Sequence, residues 1–213
     1  MSTTREPDDP LADPVAPRVS SWNVANQLTV LRLLLVPVFG WALLVDDGSS
    51  TTWRLVAAAV FAFAAWTDRV DGRLARSRGL VTPFGKLADP IADKALTGTA
   101  FVGLSVLGEL AWAVTVVVLV REIGVTLLRF WVIRHGVIPA SRGGKLKTLL
   151  QGLAIGLYVL PLSGALATGR TAVMAVAVAV TVVTGVDYVV RAITLRTTSD
   201  RAAMKRARRA ARG

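Results

Sequence analysis

Residues 68 to 94 read DRVDGRLARSRGLVTPFGKLADPIADK and lie between two strongly apolar segments. This stretch contains Asp68, Asp71, Asp89 and Asp93. An unpaired charge at membrane depth costs about 2.5 kcal/mol or more, so such residues are rare and usually functional. The chain has only 14 acidic residues, and four of them fall at helical spacings in this one window. The pattern therefore indicates a functional site rather than ordinary loop charges.

The composition is typical of helices embedded in lipid. Of the 213 residues, 53% are hydrophobic, and the mean hydropathy is +0.54. A spanning helix needs about 20 mostly apolar residues. Six segments approach that length, and the second reaches it only by continuing towards Asp68: Leu28–Val45, Thr52–Trp66, Ile91–Leu107, Ala111–Val132, Leu149–Ala167 and Thr171–Leu195. The sequence therefore predicts an all-α integral membrane protein with six transmembrane helices.

The positive charge follows the connections between the apolar segments. The net charge is +11, and Lys and Arg are dense in the second and fourth connections and after Leu195. Because short basic loops stay on the cytoplasmic side, we predict a multi-pass protein of the plasma membrane with both termini and the four aspartates in the cytoplasm. This distribution favours anionic lipid over nucleic acid as the partner of the basic residues.

The polar ends of the chain flank one predicted membrane domain, residues 21–196. Residues 1–20 are rich in Pro and Asp, which predicts a disordered cytoplasmic tail. Trp22 suits a membrane interface, and Ser20 or Ser21 suits the cap of a short interfacial helix before the first span. Residues 197–213 are predicted to form a basic cytoplasmic tail, either helical or disordered.

The aspartates offer oxygen ligands only. The chain has no cysteine and one histidine, His135, which excludes thiolate chemistry and multi-histidine zinc sites. Residues three and four apart share a face of a helix. Two such faces are Asp68, Asp71, Gly72 and Ala75 on one side, and Gly85, Asp89 and Asp93 on the other. Brought together, they predict an all-oxygen pocket for Mg²⁺ or Mn²⁺.

Small and basic residues beside the aspartates indicate what the pocket binds. Gly72, Ala75 and Gly85 remove bulk, which lets a flat group approach the backbone. Arg76 suits phosphate oxygens. Together with metal, these features predict a nucleotide donor whose diphosphate is clamped by two metal ions. Asn26 and Arg32 either reach this nucleotide or fix the first helix.

At this point the residues resemble the signature of the CDP-alcohol phosphatidyltransferases. That signature reads D-x-x-D-G-x-x-A-R, eight residues, then G-x-x-x-D-x-x-x-D, and residues 68–93 match every fixed position. The resemblance implies six membrane helices, with Asp68, Asp71 and Asp89 as metal ligands and Asp93 as the general base. It leaves open whether Asp93 also touches a metal. It further implies that Asp68, Gly72, Ala75 and Gly85 border cytidine diphosphate, with Arg76 near its phosphates.

Three further stretches resemble the phosphatidylglycerophosphate synthases within this family. They are VANQLTVLR (24–32), REIGVTLLR (121–129) and GGKLKT (143–148). The subfamily usually has Pro where Ala25 stands, a departure that we expect to affect local geometry only. The subfamily's acceptor, glycerol 3-phosphate, is a small dianion that needs fixed cations. The candidates are Arg121, Lys145, Lys147 and Arg191.

Each candidate cation also has a structural interpretation. Arg121 has Glu122 beside it, and Arg191 follows Asp187 by one helical turn. The two lysines suit a loop that faces lipid headgroups. These alternatives stay open at the level of sequence.

The reaction that the resemblance implies is transfer of a phosphatidyl group from CDP-diacylglycerol to glycerol 3-phosphate. Other acceptors used in the family are the alternatives: inositol phosphate, or phosphatidylglycerol to give cardiolipin. A divalent-cation transporter is a remote alternative, because no second acidic cluster continues a path across the bilayer. Homodimers are common in the family, so a second copy of the chain is a possible partner.

Overall fold

Six helices account for most of the chain. The computed structural model describes residues 23–77, 82–132 and 142–210, with the backbone alone at 25, 71–77, 83, 86, 87, 132, 142 and 199–210. The helices are α1 (Val24–Leu44), α2 (Thr51–Ser77), α3 (Pro83–Val106), α4 (Trp112–Val132), α5 (Arg142–Val159) and α6 (Ala165–Ala210). A short 3-10 turn, Val45–Gly48, joins α1 to α2. The described residues contain no strand, so the all-α class is confirmed.

Side-chain caps begin α1 and α3, two of the helices that contribute to the aspartate end. Asn23 is the N-cap of α1, where its side chain accepts a hydrogen bond from the backbone of Asn26 at 3.0 Å. Thr82 caps α3 by accepting from the backbone of Gly85 at 3.0 Å. Both caps satisfy an N–H group that has no partner within the helix. A short interfacial helix was predicted before Leu28, with Ser20 or Ser21 as its cap, but residues 24–27 form the first turn of α1 rather than a separate helix. Ser20, Ser21 and Trp22 lie outside the described residues.

The fifth helix lies earlier in the chain than its apolar segment predicts. The expected span was Leu149–Ala167, but α5 covers Arg142–Val159 and α6 begins at Ala165. Pro161 has no backbone N–H to continue a helix, and Gly164 adopts a φ of +60°, which other residues rarely do. The polar GGKLKT sequence, predicted as a connection, is therefore the first turns of α5. This shift places Lys145 and Lys147 on a helix.

The second and sixth helices extend beyond their apolar segments. Helix α2 continues past Trp66 to Ser77, so it carries Asp68 and Asp71 on its last turns, as the segment length required. Helix α6 is 46 residues long and continues through residues 196 and 197 to Ala210. The predicted domain boundary therefore coincides with no helix end, and the cytoplasmic tails stay predictions.

Apolar side chains occupy both the interior and the surface. The core includes Phe39, Leu43, Phe61, Phe101 and Ile155, all buried. Every helix also exposes large apolar side chains, among them Leu34, Trp66, Ile91, Val120, Leu153 and Val183. Two described segments are long and apolar enough to cross a membrane, Asn26–Gly48 and Ala165–Thr198. An apolar surface of this extent is what a lipid environment permits.

The helix connections sort the molecule into two ends. The start of α1 and the adjoining ends of α2 and α3 form the aspartate end, joined by hydrogen bonds from Arg32 to Asp68 and from Thr29 to Asp89. The starts of α2 and α6 and the link from α3 to α4 form the opposite end. There Glu109 pairs with Arg54 and with Arg170.

Candidate active site

Asp68 is held by an arginine of the first helix. Arg32 is 1% exposed, and its Nη1 donates a hydrogen bond to Asp68 Oδ1 at 2.6 Å. The Asp68 side chain remains 45% exposed, so its carboxylate faces open space while one oxygen is held. A charge-assisted bond of this kind is short and directional. Arg32 thus ties the first helix to the Asp68 carboxylate, in agreement with its structural interpretation, while its contact with a nucleotide stays a prediction.

Two polar residues of α1, which lie one and two turns before Arg32, are in contact with the region of Asp89 and Gly85. Thr29 Oγ1 donates to Asp89 Oδ1 at 2.5 Å, and Thr29 is 1% exposed. Thr82 Oγ1 donates to Asn26 Oδ1 at 2.9 Å. A Cβ added at Gly85 would lie 2.9 Å from that same Asn26 oxygen. Gly85 therefore leaves room for the Asn26 side chain. This is a packing reason for glycine, in addition to the predicted approach of a flat group to the backbone.

Asp93 faces a cavity that reaches into the helix bundle. This apolar cavity has a volume of about 450 Å³ and lies among α2, α3, α4 and α5. Its inner wall includes Phe61, Ala64, Leu96, Leu119 and Ile155. Its polar wall includes Asp68, Asp93, Lys94, Glu122, Lys147 and Gln151. The arrangement places two of the predicted aspartates at the polar end of an otherwise apolar space.

A second cavity adjoins the first at the aspartates. This cationic cavity has a volume of about 600 Å³ and shares Asp68, Asp93, Lys94, Glu122 and Lys147 with the apolar cavity. Its described lining contains six cations, which are Arg69, Lys94, Arg121, Arg129, Lys145 and Lys147. It contains three carboxylates, Asp68, Asp93 and Glu122. The excess of positive charge suits an anionic ligand that reaches Asp93.

A mostly buried glutamate, Glu122, organises two of these cations. Lys147 Nζ lies 2.5 Å from Glu122 Oε1, and Arg121 Nη1 donates to the same oxygen at 3.0 Å. Arg121 Nη2 also donates to Thr184 on α6 at 3.1 Å. A Cβ at Gly185 would lie 2.9 Å from the Arg121 side chain, so this glycine makes room for it. The predicted pairing of Arg121 with Glu122 is present, and the pair lies within the cavity wall.

The remaining predicted residues are placed less directly. Arg191 is 58% exposed, donates to Asp187 at 2.9 Å, and lines neither of the two cavities. Asp71, Gly72, Ala75 and Arg76 lie on the last turns of α2, where the structure describes the backbone only. His135 lies outside the described residues.

The comparisons with known proteins agree with this geometry. The family model described as CDP-alcohol phosphatidyltransferase matches residues 22–183, which include all four aspartates and the described lining of both cavities except Thr184 and Tyr188. The chain belongs to this family. Together with the apolar helices, membership of a family of membrane enzymes identifies a membrane protein.

Several relatives within the CDP-alcohol phosphatidyltransferase family are similar over most of their length. A probable phosphatidylglycerophosphate synthase of Mycobacterium tuberculosis is 58% identical over 179 residues, covering 84% of this chain and 86% of the relative. A CDP-diacylglycerol–glycerol-3-phosphate 3-phosphatidyltransferase of Bacillus subtilis is 38% identical, covering 78% and 93%. One of the same name from Rickettsia felis is 33% identical, also covering 78% and 93%. The predicted resemblance to this subfamily is confirmed.

The donor atoms at the site of this phosphatidyltransferase suit a hard divalent cation. Asp68 and Asp93 present carboxylates to one shared space, and its described lining contains neither sulfur nor imidazole. Carboxylate oxygens are what Mg²⁺ and Mn²⁺ prefer. Among the described side chains no three acidic or histidine groups are close enough together to hold an ion. Of the other two predicted ligands, Asp89 lines neither cavity and Asp71 is described by its backbone only, so the full ligand set stays a prediction.

Several residues of the site are missing from the sequence predictions, among them Thr29, Arg129 and Gln151. Thr29 repeats the three-residue spacing of Asn26 and Arg32, and this shared helix face is the signal that could have found it. Arg129 is the last residue of the REIGVTLLR stretch on α4, and it lines the cationic cavity. Gln151 follows Lys147 by one turn of α5 and lines the apolar cavity. The last two become visible only once the start of α5 and the packing of α4 are known.

Proposed function

We propose that the protein transfers a phosphatidyl group from CDP-diacylglycerol to sn-glycerol 3-phosphate, giving phosphatidylglycerophosphate and CMP. The observation that carries this proposal is the meeting of two cavities at Asp93, one apolar and one cationic. A lipid donor suits the first and a small phosphorylated acceptor suits the second. The names of the relatives support the same pair of substrates.

Asp93 is proposed as the general base. The acceptor's C1 hydroxyl gives its proton to the Asp93 carboxylate as its oxygen bonds to the β-phosphorus of the donor. The bond from that phosphorus to the bridging oxygen breaks, and CMP leaves. A positioned base contributes about 10²–10⁴-fold to such a step. Asp93 suits the role because it lines both cavities, where the two substrates would meet.

Asp68, Asp71 and Asp89 are proposed to bind Mg²⁺ or Mn²⁺, with Asp93 as a further ligand and two ions as the expected number. Bound metal would neutralise the diphosphate and stabilise the charge of the departing CMP. The hydrogen bonds from Arg32 and Thr29 hold Asp68 and Asp89 in place. Partners of this kind orient metal ligands in proteins.

The nucleotide is proposed to lie over the ends of α2 and α3. Asp68, Gly72, Ala75, Arg76 and Gly85 are the residues that the family signature assigns to it. Asn26 and Arg32 support this surface from α1 through Thr82 and Asp68. Their proposed contribution is to position the carboxylate and the backbone that face the nucleotide.

The acceptor phosphate is proposed to bind in the cationic cavity. Arg121, Lys145 and Lys147 line it, as does Arg129. Glu122 holds Arg121 and Lys147 side by side, which reduces the cost of ordering two flexible side chains. Arg191 has no structural support for this role, since it pairs with Asp187 outside the cavity.

The membrane topology is part of the same proposal. Six spans would place both termini and the aspartate end in the cytoplasm, where glycerol 3-phosphate and CMP are soluble. The density of Lys and Arg in the connections at that end supports this orientation. A homodimer stays a prediction from the family.

The test is CMP release by the purified full-length protein in detergent with CDP-diacylglycerol and either Mg²⁺ or Mn²⁺. Glycerol 3-phosphate, inositol phosphate and phosphatidylglycerol are supplied in parallel. We expect CMP release only in the reaction that contains glycerol 3-phosphate as the acceptor, and no release when the metal is chelated. Release with only one of the other acceptors would keep the family and overturn the acceptor. Metal uptake into proteoliposomes without CMP release would support a transporter instead.

A further inference from the structure

One polar group in the apolar cavity has no role in the reaction described above. Gln151 is 4% exposed, and its Nε2 is buried without a hydrogen-bond partner among the described residues. A buried amide left in this state costs about as much as a lost hydrogen bond, so buried polar groups in proteins are nearly always paired. A leucine or methionine would fill the same volume without this cost. The amide therefore suits a partner that arrives with a ligand.

Gln151 lies on the side of the proposed donor rather than of the proposed acceptor. It lies one turn beyond Lys147 on α5, so the two side chains share a face but differ in depth. Lys147 lines both cavities, whereas Gln151 belongs to the described lining of the apolar cavity only. The apolar cavity holds Phe61, Leu96 and Ile155 as well. Gln151 thus lies at the boundary between the polar and the apolar lining of this cavity.

The lining of the apolar cavity includes exposed side chains of two helices. Ile91 on α3 and Ile123 on α4 line it, and they are 53% and 56% exposed. In a bilayer, exposed isoleucines would contact the lipid, which gives a lipid donor a way into the cavity. A donor with its diphosphate at Asp68 and its chains in the bilayer must cross this cavity with its glycerol backbone. The two ester groups of that backbone carry carbonyl oxygens, which accept hydrogen bonds from an amide N–H.

We infer that Gln151 Nε2 donates a hydrogen bond to an ester carbonyl oxygen of the donor lipid, and so selects diacyl over dialkyl donors. The inference rests on the proposed function, because it takes CDP-diacylglycerol as the donor. It adds a contact at the lipid side of the site that neither Asp93 nor the acceptor cations supply. An ether-linked donor has no carbonyl at this position and would leave the amide unpaired.

The experiment compares CDP-diacylglycerol with a CDP-dialkylglycerol of the same chain lengths in mixed micelles. CMP release is measured at fixed glycerol 3-phosphate and metal for the wild-type protein, Gln151→Leu and Gln151→Met. Gln27→Leu is the matched control, because Gln27 is exposed on α1 and lines neither cavity. The quantity compared is the ratio of kcat/KM for the ester donor to that for the ether donor.

We expect the wild-type protein and Gln27→Leu to prefer the ester donor by about three- to tenfold, the range of one hydrogen bond between neutral groups. Gln151→Leu and Gln151→Met should bring the ratio close to one through a higher KM for the ester donor, with the KM for glycerol 3-phosphate unchanged. If Gln151 had a purely structural role, its replacement would lower kcat/KM for both donors equally and leave their ratio unchanged. The methionine variant keeps the test open if leucine impairs folding.

Three results would overturn the inference while leaving the proposed function intact. The wild-type protein could use both donors equally, the Gln151 variants could keep the wild-type ratio, or their KM for glycerol 3-phosphate could rise instead. The last outcome would assign Gln151 to the acceptor. Absence of CMP release from the wild-type protein with the ester donor would instead contradict the proposed function itself.

Discussion

The two ends of the molecule contain the same ionic arrangement in different surroundings. At the opposite end Glu109 pairs with Arg54 and lies 3.3 Å from Arg170, whose guanidinium stacks 4.7 Å from the centre of the Tyr158 ring. At the aspartate end Glu122 likewise sits between two cations, Arg121 and Lys147. Each cluster contains one carboxylate and two basic side chains that are mostly buried.

The surroundings of the two glutamates distinguish the clusters. The partners of Glu109 come from the starts of α2 and α6, and Arg170 also contacts Tyr158 at the end of α5, so that cluster ties helix ends together. Glu122 and Lys147 instead form part of the wall of two cavities that also contain Asp68 and Asp93. A buried ion pair is therefore weak evidence of function by itself. Adjacent open space lined by further charges is what favours a site, and the following changes test that distinction.

The largest effect is expected from Asp93→Asn. The carboxamide has nearly the same shape but cannot accept the acceptor's proton, so kcat for CMP release should fall by about 10²–10⁴-fold. Asp46→Asn is the matched control at the opposite end, because asparagine tolerates the φ of +52° at that position. A loss of less than about tenfold for Asp93→Asn would remove it as the base.

The next largest effect is on stability and concerns Glu109→Gln. Removing this carboxylate leaves the buried Arg54 without its ion-pair partner, which typically lowers the free energy of unfolding by about 3 kcal/mol. Thermal unfolding in detergent should show a lower midpoint, while kcat and both KM values of the folded enzyme stay near wild type. A change in the KM for glycerol 3-phosphate without loss of stability would mean that the opposite end is not structural.

Lys147→Met should act on substrate binding. The charged group contributes a hydrogen bond of about 1.5–3 kcal/mol to an anionic ligand, so the KM for glycerol 3-phosphate should rise about tenfold to 100-fold. The KM for CDP-diacylglycerol should change little. Arg170→Met is the matched control, since Arg170 also pairs with a glutamate but at the opposite end. Equal effects of the two variants on the acceptor KM would erase the contrast between the clusters.

Thr29→Val is expected to have a smaller effect, on the metal. Loss of the 2.5 Å hydrogen bond to Asp89 frees a carboxylate that we propose as a ligand. The Mg²⁺ or Mn²⁺ concentration needed for half-maximal activity should rise about tenfold. Thr194→Val serves as the control, because Thr194 is exposed on α6 and bonds only to its own helix backbone. An unchanged metal requirement would separate Asp89 from the metal.

Thr29 also shows what the sequence could and could not predict. The spacing of the aspartates predicts their two helix faces, and the structure brings Asp68 and Asp93 to one space. That a threonine in an apolar helix bonds to Asp89 depends on how α1 packs against α3, which local pattern does not specify. The start of α5 was predicted wrongly for a related reason. Gly143 and Gly144 indicate a loop, but tertiary packing around Lys147 overrides this weak local preference.

The smallest effect is expected from Arg191→Met, and it tests the boundary of the site. The sequence predicts Arg191 as a ligand of the acceptor phosphate, whereas the structure places it in an exposed pair with Asp187, outside both cavities. Exposed pairs of this spacing contribute only about 0.3–0.5 kcal/mol to stability, so the variant should fold normally. Because Arg191 lines neither cavity, the KM for glycerol 3-phosphate should stay close to its wild-type value. A tenfold increase would instead show that Arg191 leaves Asp187 when the acceptor binds. The cationic cavity would then extend along α6. The two ends would also differ in that Arg191 changes its partner on binding, whereas the cluster around Glu109 contains no such residue.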